Sequence, residues 1–279
     1  MNNKTDSTYN PQYLSKNEVR TLCPVAFETS PTNPGLSKHY VHVNTETIID
    51  DMAKLGWKPV GAIMRNRTKK NTIFSRHMIS FQNEDIFIDG EEKAYPRILL
   101  TNSHDGKNSF KFHVGIFRLI CSNGLVVATE SFTHFKVRHQ GYTFAELRQV
   151  VTDAVADLPE RVTVMNKMVN RQLTDDEKNE LAMDALLVRM GIDPNGQTDE
   201  RSKIDKYTVD QILKPVRVAD EGDNLWKVFN VIQEKMIRGG FESSLTDGKK
   251  THRKIRPITN FVRDLEINQK LFKMAVDMV

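Results

Sequence analysis

The run from Ser109 to Cys121, Ser-Phe-Lys-Phe-His-Val-Gly-Ile-Phe-Arg-Leu-Ile-Cys, constrains the fold of this chain more than any other segment. Phe110, Phe112, Val114 and Ile116 recur at every second position, the period of a strand and not of a helix. Polar clusters bracket the run, Asn102-Ser-His-Asp-Gly before it and Ser122-Asn-Gly after it. Asn, Asp and Gly tolerate the backbone of tight reversals, so the strand should turn back at both ends and pair with antiparallel neighbours. Within the run the apolar set changes phase to Phe117, Leu119 and Cys121. A one-residue slip moves side chains to the other face, so a bulge or sharp bend is expected near Gly115.

Further strands are expected at Trp57 to Arg67, Thr72 to Phe81, Asp85 to Ile88, Ile98 to Thr101, Leu125 to Thr129 and Phe135 to His139, giving an antiparallel meander. Asn44 can cap a helix carrying Ile48, Ile49, Met52 and Leu55, which Gly56 ends. Thr143 and Glu146 form a capping box ahead of the stripe Phe144, Leu147, Val151 and Ala154. From Leu158 strand signals stop. Thr174 with Glu177 opens a helix that Gly191 closes, and others are expected near Thr208 to Leu213, Asp223 to Ile237 and Ile258 to Met278. The fold class is therefore α+β, with a twisted N-terminal antiparallel sheet packed by helices and a mostly helical C-terminal half. The expected division is an extended or mobile arm over residues 1–39, an α+β sheet domain over 40–158 and a helical region over 159–279. The arm follows from Asn10-Pro11, Cys23-Pro24, Ser30-Pro31 and Asn33-Pro34, since each X-Pro pair disfavours helix before it.

Composition excludes some classes. The 279 residues suffice for one large or two modest domains, and no run approaches the ~20 apolar residues of a membrane span. The polar start Met1-Asn-Asn-Lys-Thr-Asp does not resemble a signal peptide, and a cytoplasmic location is expected. Cys23 and Cys121 lie far apart without metal-ligand spacing and read as a loop thiol and a small buried residue.

Two chemical readings of the histidines deserve weighing. Seven of the eight lie between His39 and His139, and His104-Asp105 resembles half of a metal dyad, yet no close ligand pair of zinc type occurs. His104 with Ser103 or Asp105 offers a catalytic base and partner, whereas ordinary turn chemistry accounts for the same five residues. His77, His113 and His139 fall within expected strands. No Walker loop or dinucleotide fingerprint is present, because Gly239-Gly240 lacks a following Lys-Ser/Thr and trails a helix. No cofactor, metal site or catalytic residue is assigned, and the chain reads more readily as a binding protein than as an enzyme.

The formal charge of +4 permits nucleic-acid binding, and its placement is more informative than its sum. Arg65, Arg67, Lys69, Lys70 and Arg76 bracket one hairpin. Lys136 and Arg138 share one strand face and Lys111 and His113 another, so the sheet is a candidate basic groove. A denser cluster, Lys249, Lys250, Arg253, Lys254 and Arg256, lies in a polar connection between helices where long cations reach a phosphate backbone. Phe74, Phe81, Tyr95 and Tyr142 are candidate stacking platforms.

The segment Arg97 to Leu125, with Phe135-Lys-Val-Arg-His-Gln-Gly, Leu225-Trp-Lys-Val-Phe-Asn-Val-Ile-Gln-Glu and Arg238-Gly-Gly, resembles the phage- and plasmid-borne family called domain of unknown function 932. The resemblance runs from about Tyr40 to the C-terminus and implies a bacterial mobile element and DNA metabolism. The order of helix, Gly-Trp, basic hairpin, long strand and capped helix is also similar to the core of the Rad52-like single-strand annealing proteins, which implies ring assembly and a groove for single-stranded DNA. The expected function is thus single-stranded DNA binding or annealing in recombination or replication, by a homo-oligomer, with double-stranded DNA as a second substrate. The alternatives are an accessory protein acting on a host or phage protein and a metal-dependent nuclease.

Overall fold

The computed structural model describes residues 12–29, 42, 44–64, 75–86, 94–104, 110–118, 136–137, 143–156, 158–196, 199–245 and 252–279. The chain divides into two compact units, residues 1–124 with 130–155, and residues 125–129 with 156–279.

The first unit is built on an antiparallel sheet of β1 (Lys58–Met64), β2 (His77–Gln82), β3 (Ala94–Asn102), β4 (Phe110–Arg118) and β5 (Lys136–Val137), ordered as they occur in sequence. Register places Ile79 against Leu100, Phe81 against Ile98 and Leu100 against Phe112, so one face is a continuous apolar layer. Three helices supply the other half of this core: α1 (Lys16–Leu22), α2 (Thr45–Lys54) and α3 (Phe144–Ala156). They contribute Val19 from α1, Ile48, Ile49 and Met52 from α2, and Leu147, Val150 and Val151 from α3, with Trp57 after α2. Burial of each large side chain of this kind contributes roughly 1.5–3 kcal/mol. The caps read from the sequence are present: Asn44 accepts from the Glu46 amide, and Thr143 and Glu146 cap reciprocally.

Two expectations are corrected. No register shift interrupts the β3–β4 pairing, so there is no bulge at Gly115; the shift lies between Pro59 and Gly61 in β1. Both faces of β4 are covered, with adjacent Phe112 and His113 both buried, so an apolar residue on either face needs no slip. The N-terminal segment is also no extended arm over residues 12–29. Ser15 and Glu18 form a capping box that starts α1, Pro24 begins a 3-10 turn through Phe27, and Val19, Cys23, Val25 and Ala26 enter the core. Cys23 is accordingly not an accessible thiol, and burial pushes its pKa up to about 12. The hairpin at Ser122-Asn-Gly, the strand at Leu125 to Thr129, Gly106 and Cys121 lie outside the described residues.

The histidines tie that segment to the sheet. His104 Nε2 bonds the Val25 carbonyl (3.0 Å), His42 Nε2 the Glu28 carbonyl (2.9 Å), and the His104 ring lies 4.5 Å from His42 and 5.2 Å from His77. His77 Nδ1 donates to the Ser75 carbonyl (3.1 Å), leaving Nε2 to accept from Thr45 Oγ1 (3.0 Å), which itself accepts from Asn102 Nδ2 (3.0 Å). The Asn102-Ser-His segment is therefore a buried tie reaching α2 and the 3-10 turn, and not only a locally bonded turn. Asp105 is outside the described residues.

The second unit surrounds one central helix, α7 (Leu225–Arg238), packed by α4 (Leu158–Asn170), α5 (Asp175–Met190), α6 (Lys206–Leu213) and α8 (Phe261–Val276). Its apolar residues face every neighbour: Leu225, Trp226, Phe229, Ile232 and Met236 are all buried. Two of its buried side chains donate within the unit, Asn230 Nδ2 to the Trp226 carbonyl (2.6 Å) and Gln233 Nε2 to Asn268 Oδ1 of α8 (2.7 Å). Helix α4 has no counterpart among the expected elements; its Pro159 stands at the second helical position, where a missing N–H costs nothing. Thr174 and Glu177 form the expected capping box, and Gly191 ends α5 at φ 83°.

Burial holds the pKa of His77 and of His113 down from 6.5 to about 4. Their neutral forms therefore stabilise the fold above the unfolded value of 6.5, and that contribution is lost as pH falls through about 4. Melting of the full chain should weaken between these limits by up to about 1.4 kcal/mol per pH unit for each imidazole, and His77→Gln should flatten the dependence. Equal slopes in the variant and the parent would show that His77 is not a source of it.

Candidate nucleic-acid interface

The described part of the C-terminal basic cluster is organised by Arg238-Gly239-Gly240. Helix α7 ends at Gly239 (φ 65°), Gly240 follows at φ 83°, and the chain enters a short hairpin of β6 (Glu242–Ser243) and β7 (Arg253–Lys254). The Gly240 amide donates to the Ile255 carbonyl (2.9 Å), the Ile255 amide to the Phe241 carbonyl (2.8 Å) and the Ile258 amide to the Ile237 carbonyl (2.8 Å). A Cβ on Gly239 would sit 2.3 Å from the Ile255 carbonyl oxygen, so only glycine lets the strand cross the helix end this closely. The glycine pair thus serves close backbone approach, in keeping with the absence of a phosphate loop in the sequence.

A polar lattice anchors β6 to α6. Ser244 Oγ donates to the Lys203 carbonyl (2.9 Å) and accepts from the Asp205 amide (3.0 Å) and Thr208 Oγ1 (3.1 Å). Asp205 caps α6 through the Thr208 amide (2.9 Å) and pairs with His252 Nε2 (2.7 Å). Desolvation opposes its ionisation, but the Thr208 bonds and His252 outweigh it and hold its pKa down to about 2. The Tyr207 ring, 47% exposed, meets His252 edge-on at 5.0 Å.

Behind the hairpin lies a cavity of about 360 Å³ whose lining includes Arg189, Arg253, Lys254, Arg256, Asn260 and Arg263 and no carboxylate. Arg189, on the last turn of α5, is 8% exposed and donates through Nη2 to the Arg256 carbonyl (2.7 Å). Arg263, on the first turn of α8, donates to the Arg189 carbonyl (2.9 Å). Main-chain carbonyls orient both guanidinium groups without neutralising them. Burial, then the Arg263 charge, lower the Arg189 pKa. Among the described residues no carboxylate pairs with Arg189, Lys254, Arg256 or Arg263.

The structure places the other candidates as follows. Arg253, Lys254 and Arg256 are exposed and come together at β7 and its exit; Lys249 and Lys250 lie outside the described residues, as do Arg65, Arg67, Lys69, Lys70 and Arg138. Arg76 is half-buried just before β2. Lys111 is half-buried and is the register partner of Lys136, so these two are brought opposite one another. The sheet face carrying Lys111 is no open groove at its neighbours, because Leu99, Thr101 and His113 are all buried. Phe81 is wholly buried and cannot stack a base, Tyr95 is half-buried, and Phe74 and Tyr142 are outside the described residues. Among the described residues no three His, Cys, Asp or Glu side chains gather in a way that could hold a metal ion. Arg189 and Arg263 were missed by sequence reasoning. Arg189 follows Leu186-Leu-Val and resembles an ordinary surface position of α5, and nothing local signals a partner 67 residues on.

Fold and site together define an α+β protein with a helical second unit whose hairpin carries the exposed cations Arg253 and Lys254. The chain belongs to the family described as "Domain of unknown function (DUF932)", whose model matches residues 35–272. It is 30% identical to the UPF0380 protein YfjQ of Escherichia coli K12 over 263 residues, covering 94% of this chain and 90% of that one. The UPF0380 protein YafZ of the same organism is 29% identical over the same extent. No solved structure matches, so the likeness in element order to Rad52-like proteins finds no counterpart there.

Gly239→Ala should destabilise the chain by about 1–3 kcal/mol, lowering the melting temperature by several degrees. Gly240→Ala, with open space around its Cβ but φ 83°, should cost only about 1–2 kcal/mol. Equal and negligible losses would show that the strand does not need this close crossing.

Proposed function

We propose that the chain is a nucleic-acid-binding protein that holds single-stranded DNA along β7 and its exit, by phosphate contacts from Arg253, Lys254 and Arg256, in recombination or replication of a mobile element. The observation that carries this reading is the exposed run Arg253, Lys254 and Arg256, which the Gly239–Gly240 crossing holds beside a cavity lined by Arg189 and Arg263 and by no carboxylate. A run of exposed Arg and Lys on a fixed backbone favours a polyanion, and releases its counterions on binding. Tyr207 and His252 support a single strand in preference to a duplex. Both rings lie beside the cationic residues, and an exposed aromatic surface stacks unpaired bases whatever their sequence. Lys249 and Lys250 precede β7 in the sequence and belong to the same proposal. Assembly into a homo-oligomer belongs to the same proposal and is read by solution mass with and without DNA.

Replacing Arg253, Lys254 and Arg256 together by Ser should leave the melting temperature nearly unchanged, since all three are exposed, while weakening binding to a single-stranded oligonucleotide at low salt. The slope of log K against log salt should flatten by about 2, at roughly 0.7 for each lost contact. An unchanged slope would move the interface elsewhere in the chain, and a large fall in melting temperature would make these residues structural.

A further inference from the structure

The cavity behind β7 has a property that the exposed cations lack. Arg189 is more than nine-tenths buried, its Nε has no hydrogen-bond partner, and among the described residues its guanidinium meets the Arg256 carbonyl and pairs with no carboxylate. A guanidinium removed from water without a counter-charge is costly, and natural proteins keep such groups where an anion completes them. Arg263 stands beside it at the first turn of α8, a 16-residue helix whose Asn260 cap satisfies only the Val262 amide of that turn. The remaining first-turn amides and the helix dipole add positive potential at the same place.

We propose that this cavity seats a phosphomonoester, bound by Arg189 and Arg263 at the N-terminus of α8. A monoester carries close to two negative charges and three acceptor oxygens, which suits two convergent guanidinium forks better than the single charge of a phosphodiester. At about 360 Å³ the cavity also accommodates more than a bare phosphate. Its lining includes Arg253 and Lys254, the exposed residues proposed to track a strand, so the phosphorylated end of that strand is the occupant the geometry favours. In this strand-end form the inference rests on the nucleic-acid reading above. A free nucleotide carries the same phosphate chemistry.

The test compares full-length protein with one single-stranded oligonucleotide bearing a 5′-phosphate, a 3′-phosphate or hydroxyl ends, by fluorescence anisotropy at fixed salt. A thermal-shift series with inorganic phosphate and a nucleoside 5′-monophosphate runs alongside. One phosphorylated end should bind at least tenfold tighter than the hydroxyl form, and Arg189→Met should reduce that ratio to near one. Arg263→Gln, on an exposed side chain, gives the same reading should Arg189→Met fail to fold. A ratio of one in the parent, with ordinary binding of all three oligonucleotides, overturns the strand-end seat while leaving the proposed function standing. If no oligonucleotide binds but phosphate or the nucleotide raises the melting temperature in the parent and not in Arg263→Gln, the proposed function fails and the seat stands, with a free phosphomonoester as its ligand. Absence of both the end preference and the thermal shift overturns it altogether.

Discussion

The passage of Ile255 across the end of α7 is the constraint on which the second unit's cationic surface depends. At Gly239 the backbone of one element occupies the space a side chain would need in another. Three main-chain hydrogen bonds around that point bind the end of the most deeply buried helix to the strand that carries Arg253 and Lys254. Helix α7 is held by packing from four other helices, so the crossing transmits the rigidity of a hydrophobic core to a short hairpin that has too few residues to be stable alone. The family-resembling Leu225-to-Glu234 and Arg238-Gly-Gly segments are thereby physically one device: the first fills the core and the second launches the strand from it.

The second theme is how charge is arranged. Elsewhere in the same unit cations are matched to carboxylates, Arg217 with Glu234 (2.8 Å) and Lys178 with Asp223 (2.8 Å), as a stable interior and a solvated surface require. Around the cavity the pattern changes. Arg189 and Arg263 are steered by carbonyl oxygens, which fix direction and leave the charge in place. The one carboxylate on the first turn of α8, Asp264, bonds Asn268 instead, and burial pushes its pKa up to about 6. A buried guanidinium left open in this way costs stability in the unliganded protein, and under the proposal above a bound anion offsets that cost.

What the sequence made legible was local. Capping boxes at Thr143 and Thr174, the Asn44 cap and the Gly191 stop depend on residues within one turn, and each forms as expected. The antiparallel meander was equally readable from two-residue alternation. The misreadings arise where tertiary burial overrides a local signal. Pro24 disfavours helix before it but opens a 3-10 turn, and Ser15 with Glu18 is a capping box whose signal was available in the sequence. At β4 burial of both faces mimicked a change of register. The site divides the same way: the density of Arg253, Lys254 and Arg256 showed in the sequence, whereas Arg189 joins them only through a contact between distant segments.

The central claim is that polyanions meet this protein at residues 252–263 and the end of α5. Hydrogen–deuterium exchange of the full chain, alone and saturated with a single-stranded oligonucleotide, tests it most directly. The account predicts slower exchange over 252–263 and around Arg189, with the sheet of the first unit little changed. Protection confined to the first unit, or saturating binding with no change at β7 and the start of α8, would contradict it.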